Sequence, residues 1–476
     1  MQVAEDLLYL PVLELKRLIA GKELSPVELV GSCLERIERL QPKLNAFVWV
    51  LAEEAREQAK ESEGRVLRGE ARPLEGIPIP IKDNVLLAGA PMMMGSRMGL
   101  NFSLPMDQEL VTRLRHAGAV FPGKTALPEF GSTAVTESLL HGITRNPWNT
   151  NHTPGGSSGG SAASVAAGIA PAAHGNDGGG SLRIPASCCG LFSLKVSRGV
   201  VSHYPIPDVT GLVSDGFLTR TVADNAFLLD LIYGSMPGDP WPTWPRQRPW
   251  QEEVDEPGRL RIAIQEKSPS GAVVDPACLA AVRHAATLFE ELGHVVVPYP
   301  ETVGSEEELT DTFMEMWASV IGYNMEALMA LGADPEQAEP HNLELWQRSQ
   351  KLPSSKYLLA MHRLQEYSRQ EQENIAEFDL VLSPTLAQPP VPVGTQFPEG
   401  ETDPMHPFHR DFDFVSFTPG ANLAGLPAAA LPLHWHDGLP IGVQVVAKPN
   451  QEALLFRFSA QVEQAQPWAD QRPPLN

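Results

Sequence analysis

The 476-residue sequence is poor in cysteine, in positive charge and in long apolar runs. Its four cysteines, Cys33, Cys188, Cys189 and Cys278, lack the spacing of a zinc site. The adjacent pair suits a reducing compartment better than a disulfide framework. Lys and Arg number 36 against 58 Asp and Glu, a formal charge of −22. That balance argues against unassisted binding to nucleic acid or an anionic membrane, because phosphate contacts need clustered basic residues. The most apolar run, Ala162–Ala173, is too short to cross a bilayer and contains Pro171. The opening MQVAEDLLYL has no basic n-region and does not read as a signal peptide. A cytoplasmic protein is expected, with neither a membrane nor a nucleic-acid partner. The remaining composition, 43% hydrophobic and 20% charged, is ordinary for a globular chain.

What the sequence has in excess is glycine and serine, concentrated between Pro154 and Pro185. Two glycine knots, Gly155–Gly160 and Gly178–Gly180, bracket a small-residue segment, and a serine stands at each, Ser157 and Ser181. Glycine is used where the backbone must take positive φ or approach another group closely. N–H groups bunched in such turns make a nest for negative charge, and a serine in a nest is what acyl transfer needs. A flexible Gly/Ser linker is the bland alternative. The apolar, helix-forming Ala162–Ala170 and the flanking Asp177 and Arg183 argue against it.

Around this stretch, residues 7–61 read as helices. Ser25-Pro26-Val27-Glu28 forms a capping box, and the helix it starts is expected to end at Gln41-Pro42. The run GIPIPIKDNV (Gly76–Val85) predicts a short strand entering a bend, with Lys82 at its end. A lysine there is either buried and neutralised or an edge residue with its head in water. The methionine-rich Pro91–Met98 suits a pocket wall or core filler. Strands are expected at Leu191–Lys195, Arg259–Gln265, His294–Pro298, 378–385 and 428–447. Helices are expected at Ala223–Tyr233, Pro276–Leu292, Ser305–Leu331 and Glu452–Glu463. Alternation of this kind implies an α/β sheet with helices on its faces.

Several motifs are decoys. Gly118–Thr125 fits the phosphate-loop pattern GxxxxGK[ST], but a helix-like segment precedes it where a strand is needed, and Pro122 interrupts it. Gly156–Gly160 fits the nucleophile elbow GxSxG, yet polar, loop-like residues precede it rather than a buried strand. His406, His409, Asp411 and Asp413, and separately His434 and His436, read as a solvated loop and a strand end rather than metal ligands. No cofactor or metal is expected.

The lysine of IPIKDN, the knot PGGSSGGS and the knot DGGGSLRIPAS, in that order and spacing, resemble the amidase signature family. The resemblance covers most of the chain and includes GKTALPEFG (Gly123–Gly131), TRNPWN (Thr144–Asn149), FDLVLSPT (Phe378–Thr385), ANLAGLPAAALPL (Ala421–Leu433) and GLPIGVQVV (Gly438–Val446). It implies an α/β class fold, a single α/β/α domain over 1–476 with a mixed, twisted central sheet covered by helices on both faces. Within it, 1–65 would be N-terminal helices, 66–235 the catalytic core, 236–258 a Pro/Trp-rich connector, and 259–476 the rest of the sheet with the substrate-cleft helices. It implies that Lys82, Ser157 and Ser181 are catalytic, that Ser157 follows a cis peptide from Gly156, and that the N–H groups of Gly178, Gly179, Gly180 and Ser181 form the oxyanion hole. Ser181 would be the nucleophile, passing its proton through Ser157 to a neutral Lys82.

The sequence departs from many members in reading GNDGGGS where they read GTDTGGS. Together with RIPAS, HGND is similar to the branch of bacterial general amidases and 6-aminohexanoate cyclic-dimer hydrolase. The partner implied is a small-molecule amide, linear or cyclic. Esters and carbamates are left open, and a homodimer is compatible with the resemblance. The rival within the family is a glutamine-hydrolysing amidotransferase subunit. Such subunits usually carry an aspartate seven residues before the Asn of NLAG, where this chain has Val415. Outside the family, the alternatives are a nucleotide-binding protein through Gly118–Thr125 and a catalytically dead interaction protein.

Overall fold

The computed structural model describes residues 7–100, 102–253, 255–300 and 306–475. Its centre is an eight-stranded sheet in the order Val295–Pro298, Arg261–Ile264, Leu380–Pro384, Leu439–Ala447, Ala428–His436, Phe192–Lys195, Ser214–Thr219, Ala172–Asp177. The first three strands run parallel and the rest pair antiparallel, so the sheet is mixed. Its strands are buried apolar runs such as Ala428–Leu431 and Val443–Val445, as expected when helices cover the sheet. The helix Pro276–Glu291 packs on it with Cys278, Val282 and Phe289, and Glu452–Ala465 with Leu455, Phe456 and Phe458. The fold is α/β, as the sequence implied.

A second, three-stranded sheet holds the lysine. Ile81–Lys82 lies parallel to Gly123–Thr125, which pairs antiparallel with Phe47–Val50. The strand Phe47–Val50 lies in the N-terminal stretch read as helices, after the expected helix end at Gln41-Pro42, and was not foreseen. The two sheets meet where the His174 N–H donates to Pro80 O at 2.9 Å. The first long helix, Pro26–Leu44, begins where expected, with Ser25 Oγ accepting from the N–H of Val27 and Glu28. It passes through Pro42, placed near its end, and stops at Asn45 in the left-handed conformation.

Most expected elements fall within a few residues of their predicted bounds. The predicted helix Ser305–Leu331 is seen as Glu306–Met329, with Ser305 outside the described residues. Two helices that follow it, Pro340–Lys351 and Ser354–Asn374, carry no sharp apolar stripe and went unforeseen. Of these three helices, Glu306–Met329 packs against the second glycine knot through Phe313 and Trp317, and the other two pack on that helix.

Candidate active site

The site is assembled where the edge of the large sheet meets the small one. Lys82 is fully buried, so the reading of an edge lysine with its head in water does not hold. Its Nζ lies 2.7 Å from Ser157 Oγ and 2.7 Å from Asn176 Oδ1, and both atoms accept from it. Burial pulls its pKa down to about 7, opposed by the charges of Asp215 and Asp177. Asn176 is held in turn by Asn84, whose Oδ1 accepts from its Nδ2 at 3.1 Å. The Gly156–Ser157 peptide is cis, as the resemblance implied. Ser157 and Ser181 are 3% and 8% exposed, so both are buried. Among the described residues the Lys82–Ser157 bond is present, whereas Ser181 Oγ makes no hydrogen bond.

Beneath Ser181 the glycine loop is fastened by ionic contacts. Arg183 grips Asp177 bidentately, Nε to Oδ2 and Nη2 to Oδ1, each at 2.9 Å, with both side chains fully buried. The guanidinium also donates to Thr418 O at 2.9 Å, to Asn422 Oδ1 at 2.6 Å and to Gln444 Oε1. Burial alone would raise the Asp177 carboxyl, but the Arg183 charge and hydrogen bonds hold it well below the usual range. Asp177 Oδ1 also accepts the Gly180 N–H at 2.7 Å. That N–H, one of the four expected to face an oxyanion, is therefore engaged, while those of Gly178, Gly179 and Ser181 meet no acceptor among the described residues. Gly180 has φ +131°, and a Cβ there would stand 2.1 Å from Thr418 Oγ1, so only glycine fits.

The decoys are structural. Gly123–Thr125 is a strand rather than a phosphate loop, and Lys124 is buried with Nζ 3.1 Å from Asp83 Oδ1. Ser158 caps the helix Gly159–Ala166, and its Oγ donates to Asn176 O at 3.1 Å. His406 faces Glu401 and His409 faces Asp403. Asp411 instead turns inward, accepting the Ala134 N–H at 3.0 Å.

Over the glycine loop lies an aromatic wall. Phe313 and Trp317 are stacked with centroids 5.5 Å apart, and Trp317 Nε1 donates to Ser132 O. A Cβ at Gly178 would lie 3.4 Å from Trp317, and one at Gly179 3.2 Å from Phe313. Met92, Met94, Met98 and Phe130 join the same cluster. Sequence reasoning missed Asn176, Asn422 and Gln444 as parts of the site. Asn422 and Gln444 stand inside two of the quoted fragments, so a signal was there.

A buried amine bonded to Ser157 and a glycine loop that carries Ser181, bolted by Arg183 and Asp177, thus lie on a mixed α/β sheet. The amidase family model matches residues 28–456. The 6-aminohexanoate-cyclic-dimer hydrolase of Paenarthrobacter ureafaciens is 34% identical over 480 residues, 96% of this chain and 95% of that protein. A solved 6-aminohexanoate cyclic dimer hydrolase superposes with a TM-score of 0.92 at 32% identity, covering 98% and 99% of the two chains. A bacterial aryl acylamidase of the amidase signature family does so with 0.87 at 27% identity, covering 97% of each. The chain belongs to the amidase family, and it is a hydrolase acting on amide C–N bonds.

Proposed function

We propose that the chain hydrolyses a small, uncharged carboxamide through an acyl-enzyme on Ser181. The observation that carries this reading is the contact of a buried Lys82 with Ser157 Oγ at 2.7 Å, with no carboxylate among the described residues bonded to the amine. A neutral amine there can take a proton from Ser157 as Ser157 takes one from Ser181. Ser181 Oγ then bonds to the carbonyl carbon, and the oxyanion is met by the N–H groups of Gly178, Gly179 and Ser181. Gly180 contributes by fixing the loop through Asp177. Ser157 returns its proton to the leaving nitrogen as the C–N bond breaks, and water releases the acid from the acyl-enzyme. Esters and carbamates fit the same steps.

The aromatic wall favours an apolar acyl or amine group, in keeping with the substrates named for the cyclic-dimer hydrolase and the aryl acylamidase. Glutamine fits poorly, since position 415 is a buried valine rather than an aspartate that could grip an α-amine. The four cysteines are free and buried, which suits a reducing, cytoplasmic setting. The test uses the purified chain alone on a panel of aliphatic, cyclic and aryl amides, esters, carbamates and glutamine, with phosphonate labelling. Amide turnover with a label on Ser181, lost in Ser181→Ala and kept in Ser158→Ala, is the expected result. A label on Ser158, or turnover confined to glutamine, overturns the reading.

A further inference from the structure

Asn176, which holds Lys82, sits directly across the ladder from Asp215 on the neighbouring strand. Residues opposite one another in an antiparallel pair project from the same face. Asp215 therefore shares the face on which Lys82 meets Asn176. His174 lies on that face too, two residues from Asn176, and its Nε2 is 3.1 Å from Asp215 Oδ1. On the other side His203 Nδ1 is 3.1 Å from Asp215 Oδ2, while His203 Nε2 lies 3.2 Å from Val213 O. His203 thus stands between a carboxylate and a carbonyl oxygen, surroundings that favour the imidazolium. Its pKa is raised to about 9: burial would lower it, and the Asp215 charge and hydrogen bond outweigh that. Asp215, correspondingly, is held well below the usual carboxylate range, with burial opposing and His203 prevailing.

We propose that Asp215 and His203 are positioning residues that set the protonation of Lys82, the carboxylate favouring the ammonium and the imidazolium opposing it. The proposal rests on Lys82 as the base. The groups facing this set are few. Asp177 is neutralised by Arg183, and His174 contacts Asp215 from the same strand as Asn176. Asp208, on the 203–213 loop, adds negative charge near His203. Asp215 is fully buried, whereas the side chain of His203 is 17% exposed and lines a small surface pocket with Arg198, Asp208 and Trp241. The pair thus links the buried face on which Lys82 lies to a side chain that solvent reaches.

The two charges have opposite signs, so they make opposite predictions. Asp215→Asn removes the nearer negative charge, and the acid limb of kcat/KM should move down by about one pH unit. His203→Gln leaves the carboxylate uncompensated, and the limb should move up by a similar amount, about one unit. Loss of packing alone scales the profile and moves neither limb. The experiment is the pH profile of kcat/KM on one anilide for the wild type, Lys82→Met, Asp215→Asn and His203→Gln, with thermal melts to identify folded variants. Opposite shifts support the proposal. A limb that Lys82→Met abolishes but that stays put in both other variants overturns it, and so do shifts of one sign. If Asp215→Asn does not fold, His203→Gln decides alone, an upward shift supporting and an unmoved limb overturning. A limb that survives in Lys82→Met refutes the lysine base instead, and the proposal falls with it.

Discussion

Lys82 and Lys124 stand on neighbouring strands, with Ile81 opposite Lys124 and Lys82 opposite Thr125, and both are fully buried. Lys124 has a carboxylate, Asp83, at 3.1 Å and two carbonyl oxygens, Val85 O and Pro91 O, at 2.8 and 3.2 Å. Among the described residues, Lys82 bonds to a hydroxyl and an amide oxygen and to no carboxylate. Burial lowers the pKa of both, but in Lys124 the Asp83 charge and hydrogen bond oppose it directly. The same side chain in the same small sheet thus faces a carboxylate in one place and a hydroxyl in the other. A third buried lysine, Lys195, is also brought to about 7 by burial, yet its Nζ donates to Val196 O and no serine hydroxyl accepts from it. Desolvation makes an amine available; the neighbouring hydroxyl gives it something to do.

The comparison can be broken most directly by exchanging each lysine for methionine. Lys82→Met should lower kcat/KM by about 10²–10⁴-fold, with a stability cost on the order of 1 kcal/mol for the hydrogen bonds given up. Steady-state kinetics and denaturant melts on one preparation measure both. Lys124→Met should do the reverse. It strands Asp83 in the interior and should cost about 3–5 kcal/mol, while the folded fraction keeps its turnover. Adding Asp83→Asn to that variant should restore much of the loss, and a double mutant no more stable than the single would deny that Lys124 is there for Asp83.

Acidity sharpens the contrast. Activity should rise with pH through about 7 as Lys82 loses its proton, and the limb should persist in Lys124→Met. His203 gives a stability dependence of the opposite sense. Its folded pKa, about 9, lies above the ordinary 6.5. Its stabilisation is therefore complete below about 6.5 and is lost as pH rises through about 9. Melts of wild type and His203→Gln should converge towards alkaline pH. The smallest effect belongs to Ser158→Ala, which should cost about 0.5–1.5 kcal/mol for its bond to Asn176 O.

Much of this molecule was legible before its structure. Lys82, Ser157 and Ser181 carry family motifs, and helices such as Pro276–Glu291 announce themselves through Asp275 and Pro276 at their start. The strand Ala172–Asp177 was hidden because AAHGND has neither alternation nor branched residues. It is a strand because its neighbour Ser214–Thr219 pairs with it along its full length. Asn176 and Asp215 were missed for the same reason, since only the ladder brings position 176 opposite 215. The helices Pro340–Lys351 and Ser354–Asn374 bury few side chains, so their sequences hold little apolar periodicity to read.

Arg183 binds residues that the ribosome makes at very different times. Asp177 emerges beside it, but Thr418, Asn422 and Gln444 follow more than two hundred residues later. A chain still being synthesised can hold its serines and its lysine long before the arginine finds its later partners. The bonds that tie the loop presenting Ser181 to Thr418, Asn422 and Gln444 can form only after those residues have been made. A product truncated before Gln444 would contain Lys82, Ser157 and Ser181 and still lack one of the oxygens that Arg183 binds.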